Sequence, residues 1–167
     1  MAQLSFGEKI SLIKLIASEV IEKPELKYRK INDLILFTEE PKDVDVVLKA
    51  LQELCRVFLE IIPAYKLRED ASQNTVDDET GANKGMKLSK EVKQLRSYEA
   101  FFLESYKKYL MTLEFFQKIK PGNLIHKLGI KDENKRANLL AIYTKIRDES
   151  VASFCKLLKR HPHFNFR

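Results

Sequence analysis

Apolar residues recur every three or four positions along most of this chain, which is the spacing of one face of an α-helix. The first such stretch extends from Phe6 to Val20, and Lys23-Pro24 interrupts it. Because proline lacks an amide hydrogen but fits a first helical turn, the pattern predicts that a second helix starts at Pro24. This second helix is predicted to bury three apolar residues, Ile31, Leu34 and Ile35.

The third helix has the clearest apolar stripe, which follows the same spacing for about five turns from Val44 to Ile62 and ends at Pro63. Because the connections between these helices are short, each helix is expected to pack antiparallel against the next one along the chain. Five polar residues on the other side of the third helix are predicted to face solvent: Lys49, Gln52, Glu53, Arg56 and Glu60.

Residues 69–87 have a different composition, with Val76 and Met86 as their only large apolar side chains. Such a segment cannot repay the entropy of ordering, so a mobile loop is predicted here. Ser89 is predicted to cap the helix that follows. The chain is thus predicted to divide into N-terminal helical hairpins (1–68), a flexible loop (69–88) and a C-terminal long-helix part of the same domain (89–167).

The longest helix is predicted for residues 90–118, and Pro121-Gly122 follows its end. So much of its circumference is apolar that it is expected to contact two neighbouring elements. Its main stripe comprises Val92, Leu95, Phe102, Leu103, Tyr106, Leu110 and Leu113.

A last helix is predicted to begin at one of two capping residues, Asp132 or Asn134, and to reach about Arg160. Its apolar stripe changes phase around residues 147–150. This change predicts a kink or a break at that point.

These elements predict an all-α fold. The chain has only five glycines, five prolines and no tryptophan, and this scarcity of turn formers disfavours an all-β fold. About five main helices with a long disordered loop indicate irregular HEAT/armadillo-like helical repeats. An irregular helical bundle stays open as the alternative, because no sequence period recurs along the chain.

The chain carries 30 basic and 24 acidic residues, and its formal net charge of +6 allows attraction to nucleic acid or to anionic surfaces. Cys55 and Cys155 lie on apolar helix faces and are predicted to be thiols of the core. No Cys/His spacing typical of zinc ligands is present, and the cysteine usage is typical of an intracellular protein. No signal-peptide pattern or apolar run of membrane-spanning length occurs, so no membrane partner is predicted.

No pattern in the sequence predicts catalysis. The nucleophile elbow, P-loop, GxGxxG and HExxH motifs are absent. His161 and His163 flank a proline near the chain end and are predicted to form a surface pair rather than a metal site. The sequence therefore predicts a protein that is not an enzyme, with no catalytic residue, metal, cofactor or small-molecule substrate.

Two regions bear on nucleic-acid binding. Residues 106–109, Tyr-Lys-Lys-Tyr, interleave aromatic and cationic side chains, as surfaces that bind single-stranded nucleic acid do. Tyr106 belongs to the apolar stripe, however, and is predicted to be buried, while Lys107 and Lys108 are predicted to be solvated. The other region follows the loop, and its basic residues are candidates for nucleic-acid contact: Lys84, Lys87, Lys90, Lys93 and Arg96.

Three motifs occur in a defined order along the chain. The first is IIPAYKLR at residues 61–68, and the second is KEVKQLRSYE at residues 90–99 with YKKYL at residues 106–110. The third is PHFNF at residues 162–166. In this order and spacing, they resemble the nucleolar complex-associated protein 3 family over roughly residues 31–167.

The resemblance implies a helical-repeat scaffold of the nucleus and nucleolus that has no catalytic residues or cofactor. It implies a role in maturation and transport of the large ribosomal subunit precursor, with a link to replication initiation. The implied partners are a nucleolar complex protein 2 homologue and proteins of the pre-ribosomal particle. The alternative is a basic nucleic-acid-binding domain that contacts pre-rRNA or chromatin. Members of the family are much longer, so the chain is expected to be a fragment.

Six positions that match the first and third motifs are candidates for partner binding: Tyr65, Lys66, Arg68, Phe164, Asn165 and Phe166. Tyr65 and the two phenylalanines are also open to a simpler role, as anchors of loop ends on the core. Phe164 is expected to pack internally, because exposed phenylalanines at a chain end are unfavourable in a soluble domain. Phe166 is expected to pack against a further repeat of a full-length protein.

Overall fold

The computed structural model describes residues 4–39, 43–62, 90–120, 122 and 132–165, and the predicted loop and Ser89 lie outside these residues. Within them the regular structure is helical and contains no strand, so the predicted all-α class is confirmed. The type of repeat stays a prediction. The helices are α1 (Phe6–Glu22), α2 (Pro24–Lys27), α3 (Ile31–Thr38), α4 (Val44–Ile61), α5 (Lys90–Lys118), α6 (Glu133–Arg160) and α7 (Pro162–Asn165), with a 3-10 turn at Tyr28–Lys30.

The first helix starts at a reciprocal cap. The backbone N–H of Ser5 donates to a carboxylate oxygen of Glu8 at 2.7 Å, and the N–H of Glu8 donates to the Ser5 hydroxyl oxygen at 3.4 Å. This capping box satisfies two amides that have no partner inside the helix. It fixes the start of α1 at Phe6.

The predicted interruption at Lys23-Pro24 is confirmed, and Pro24 is the first residue of α2. The second predicted helix is not continuous, however. The 3-10 turn at Tyr28–Lys30 separates α2 from α3. This turn carries the ring of Tyr28 to α5, where it meets the rings of Tyr98 and Phe101 edge-on at 5.3 and 5.0 Å.

Helix α4 lies at the centre of the fold and packs against α1, α3 and α6. It also contacts α5 through the ring of Phe58, which stacks on Tyr109 with 5.3 Å between ring centroids. Because neighbours cover it on several sides, most of its circumference is buried, and an exposed polar stripe remains along Asp45, Gln52, Arg56 and Glu60. Its buried residues are Val46, Val47, Leu48, Ala50, Leu51, Glu53, Leu54, Cys55, Val57 and Phe58.

Long-range contacts fix the directions of the helices around α4. On α6, Glu149 contacts Gln52 and Ser153 contacts Cys55, so the two helices run parallel. On α5, Tyr109 contacts Leu51, whereas the earlier residue Phe102 contacts the later residue Phe58. Helix α5 therefore runs antiparallel to both α4 and α6.

The prediction that Glu53 faces solvent is wrong. Glu53 is 7% exposed and forms ion pairs with Lys49 at 2.8 Å and Arg56 at 2.7 Å. Burial by itself raises the pKa of the Glu53 carboxyl, but the bonds from Lys49 and Arg56 outweigh it and the pKa is lowered. The guanidinium of Arg56 also approaches the hydroxyl of Ser18 on α1 at 3.4 Å, so this group joins α4 to α1.

Helix α6 begins at Asp132, whose carboxylate accepts from the amides of Asn134 and Lys135 at 3.0 and 3.3 Å. This settles the choice between the two predicted caps. The sequence predicts a kink or a break at residues 147–150, and a break does not occur, because the helix is continuous to Arg160. At this point the hydroxyl of Ser150 donates to the carbonyl oxygen of Ile146 at 2.8 Å.

The two cysteines have different environments. Cys55 is buried, as predicted, and its thiol lies 3.8 Å from the carbonyl oxygen of Ser153. Burial raises the pKa of the Cys55 thiol. Cys155 is exposed, so the prediction that it belongs to the core is wrong. The buried side of α6 passes through Ser153 and Leu157, and Cys155 lies on a different side of the helix.

Candidate interaction surfaces

A group of aromatic side chains joins α4 to α5. Tyr109 and Phe102 of α5 are fully buried against Phe58, and Tyr106 beside them is 3% exposed. The hydroxyl of Tyr109 donates to the carbonyl oxygen of Leu51 at 2.8 Å. Burial raises the pKa of this phenol well above its ordinary value. The aromatic residues of α5 thus serve mainly to hold the core together.

The same geometry determines which side chains of residues 106–109 are buried and which are exposed. Tyr106 is buried, and Lys107 and Lys108 are exposed, as predicted. Lys108 forms an ion pair with Glu104 one turn earlier on the helix at 2.8 Å. With both tyrosines in the core, their rings are not available to stack on bases.

The C-terminal motif folds back onto the aromatic group. The ring of Phe164 meets Tyr106 edge-on at 5.3 Å between centroids and Phe102 at 6.3 Å. Phe164 is partly buried there, so its predicted internal packing is confirmed. Its role in partner binding stays a prediction.

His161 also lies in the core, and the prediction of a surface histidine pair is wrong. His161 is 7% exposed, and its Nε2 lies 3.0 Å from the carbonyl oxygen of Leu59. Its backbone amide donates to the carbonyl oxygen of Leu157, which ends α6. The chain then turns into α7, where the amide of Phe164 donates to the carbonyl oxygen of His161 at 3.2 Å. The side chain of His163 lies outside the described residues.

The other candidate partner-binding residues are only partly within the described residues. Asn165 is the last residue of α7, and its side chain is outside the description. The remaining four candidates lie outside it altogether: Tyr65, Lys66, Arg68 and Phe166. The structure therefore brings one of the six candidate side chains, Phe164, into a described environment.

Two candidate nucleic-acid-binding residues are described with their side chains. Lys93 and Arg96 are both exposed on the first turns of α5. Lys90 is the first residue of α5, and its side chain is outside the described part. Lys84 and Lys87 lie outside the described residues.

The first turns of α5 do not pack as the sequence predicts. Val92 and Leu95 belong to the predicted buried stripe, but they are 38% and 47% exposed. Helix α4 covers the later part of this stripe, from Phe102 onward, through Phe58. The buried stripe is therefore shorter than the helix.

A groove lies between α5 and α6 and was not found from the sequence. It has a volume of ≈ 490 Å³ and is lined by Lys107, Leu110, Met111, Glu114, Gln117 and Phe154. Met111 and, one turn later, Phe115 are among the most exposed apolar side chains, at 68% and 62%. The sequence signalled only the exposed apolar pair, because these two residues lie four positions apart and outside the predicted stripe of α5.

Neither a metal-binding cluster nor a membrane-spanning helix occurs among the described residues. Among those side chains, no group of three or more His, Cys, Asp or Glu residues is placed to hold a metal ion. None of the helices described is both long and apolar enough to span a bilayer.

The fold and these surfaces define an all-α protein that exposes apolar side chains beside the α5–α6 groove and basic residues at the start of α5. The family model described as nucleolar complex-associated protein (NOC3p) matches residues 8–109 of the chain. The chain belongs to this family, so the resemblance read from its three motifs is confirmed.

Several relatives carry the same family name over most of this chain. It is 31% identical over 164 residues to a nucleolar complex protein 3 homolog of Cricetulus griseus, a match that covers 95% of this chain and 18% of the relative. It is 28% identical over 166 residues to nucleolar complex-associated protein 3 of Arabidopsis thaliana, covering 99% of this chain and 16% of that protein. The chain thus spans less than a fifth of the length of these relatives.

Proposed function

We propose that the chain is a non-enzymatic helical scaffold segment of a nucleolar and nuclear assembly factor. In this proposal the factor acts in biogenesis of the large ribosomal subunit, including pre-60S assembly and rRNA processing, through protein–protein contacts. Its partners would be a nucleolar complex protein 2 homologue and proteins of the pre-ribosomal particle. A link to initiation of DNA replication belongs to the same proposal.

Membership of the nucleolar complex-associated protein family carries this proposal. The names of the relatives point to the nucleolus and nucleus, where we place the chain. The geometry supports a binding role, because Met111 and Phe115 extend apolar surface into solvent beside the α5–α6 groove.

Affinity purification tests the proposal most directly. The tagged 167-residue chain would be incubated with nuclear extract, and bound proteins would be quantified by mass spectrometry against a tag-only control. We expect enrichment of a nucleolar complex protein 2 homologue together with large-subunit assembly factors. Enrichment of a membrane or metabolic complex in their place would contradict the proposal.

Depletion of the full-length protein tests the process. We expect loss of large ribosomal subunits relative to small ones, with accumulation of their rRNA precursors, and rescue by the intact protein. Slowed entry into DNA synthesis with normal subunit ratios would instead favour the replication role alone.

A second function, nucleic-acid binding, is favoured by the exposed basic pair Lys93 and Arg96 at the start of α5. Binding dominated by phosphates weakens steeply as salt rises, because counterions are released. Titration of structured RNA and duplex DNA at two salt concentrations would therefore test it. We expect Lys93→Gln with Arg96→Gln to weaken such binding and flatten its salt dependence. Lys14→Gln with Lys23→Gln, which also removes two exposed cations, is the matched control.

A further inference from the structure

We draw no further inference here: the strongest candidate, the groove between α5 and α6 with its apolar floor of Leu110, Met111 and Phe154, has the oppositely charged Lys107 and Glu114 in its lining, and nothing in the structure shows what covers it.

Discussion

The imidazole Nε2 of His161 lies 3.0 Å from the carbonyl oxygen of Leu59 and joins the end of α6 to the end of α4. In an α-helix this carbonyl would accept the amide hydrogen of residue 63, four positions later, but residue 63 is a proline and has none. The imidazole supplies the missing donor. Because a carbonyl oxygen only accepts, Nε2 carries the hydrogen in this contact.

Replacing His161 tests this contact. We expect His161→Ala to lower the free energy of unfolding by about 1–2 kcal/mol, because it leaves a partly buried acceptor without its donor. His161→Gln keeps an N–H near the same place and should recover part of the loss. Urea denaturation of the three proteins measures both effects, and equal stability of the alanine variant and the unaltered chain would contradict the assignment.

Phe164 should contribute to stability through its contacts with Phe102 and Tyr106. Truncation of a fully buried phenylalanine costs about 3–5 kcal/mol, and Phe164 is partly buried, so we expect Phe164→Ala to cost about 2 kcal/mol. Phe115→Ala is the control, because Phe115 is mostly exposed and should change stability by less than about 0.5 kcal/mol. An unchanged melting temperature for Phe164→Ala would show that the C-terminal motif does not anchor the fold.

Glu53 should make stability depend on pH in the acidic range. Its pKa in the folded chain is lowered, so its ion pairs with Lys49 and Arg56 stabilise the fold above the pKa of the unfolded state. This contribution is lost as the pH falls through the folded-state pKa. We expect Glu53→Gln to cost about 1 kcal/mol at neutral pH and nothing at strongly acidic pH. Urea denaturation across this range measures it, with Glu60→Gln, an exposed acid on the same helix, as the control.

Tyr109 should make stability depend on pH in the alkaline range. Its phenol pKa is raised well above 10.0 by burial, so the folded state holds this proton more tightly than the unfolded state does. Stability from this group is therefore complete below pH 10 and falls as the pH rises further. We expect Tyr109→Phe to cost about 1 kcal/mol at neutral pH, through loss of the bond to Leu51, and to reduce the alkaline decline. Denaturation at neutral and alkaline pH measures both effects, and Tyr143→Phe, at a half-buried position, is the control for loss of a phenol hydroxyl at neutral pH.

The sequence by itself determined the helices and most of their ends. The 3.6-residue spacing of apolar side chains located α1, α4, α5 and α6, because a helix in water needs an apolar face to be stable in a fold. Pro24 and Asp132 set two of the starts through chemistry that acts within a single turn. The three motifs likewise identified the family, because their order is a property of the sequence alone.

Only the tertiary structure decided which side of each helix is covered. Glu53 became buried because Lys49 and Arg56 pair with it where α4 meets α1. Cys155 became exposed because the buried side of α6 passes through Ser153 and Leu157. Val92 and Leu95 continue a buried stripe and yet are exposed. Periodicity gives the direction of an apolar face, but burial depends on how many elements lie around it and where each one ends.

The candidate surfaces show the same division. Phe164 could be expected to pack internally from its chemistry, whereas the partner of His161 is 102 residues away along the chain and follows only from the parallel packing of α4 and α6. The α5–α6 groove belongs to two helices at once, so no pattern in either one contains it. The local sequence determines the chemistry of a side chain, and the packing of helices distant in sequence determines which groups that side chain contacts.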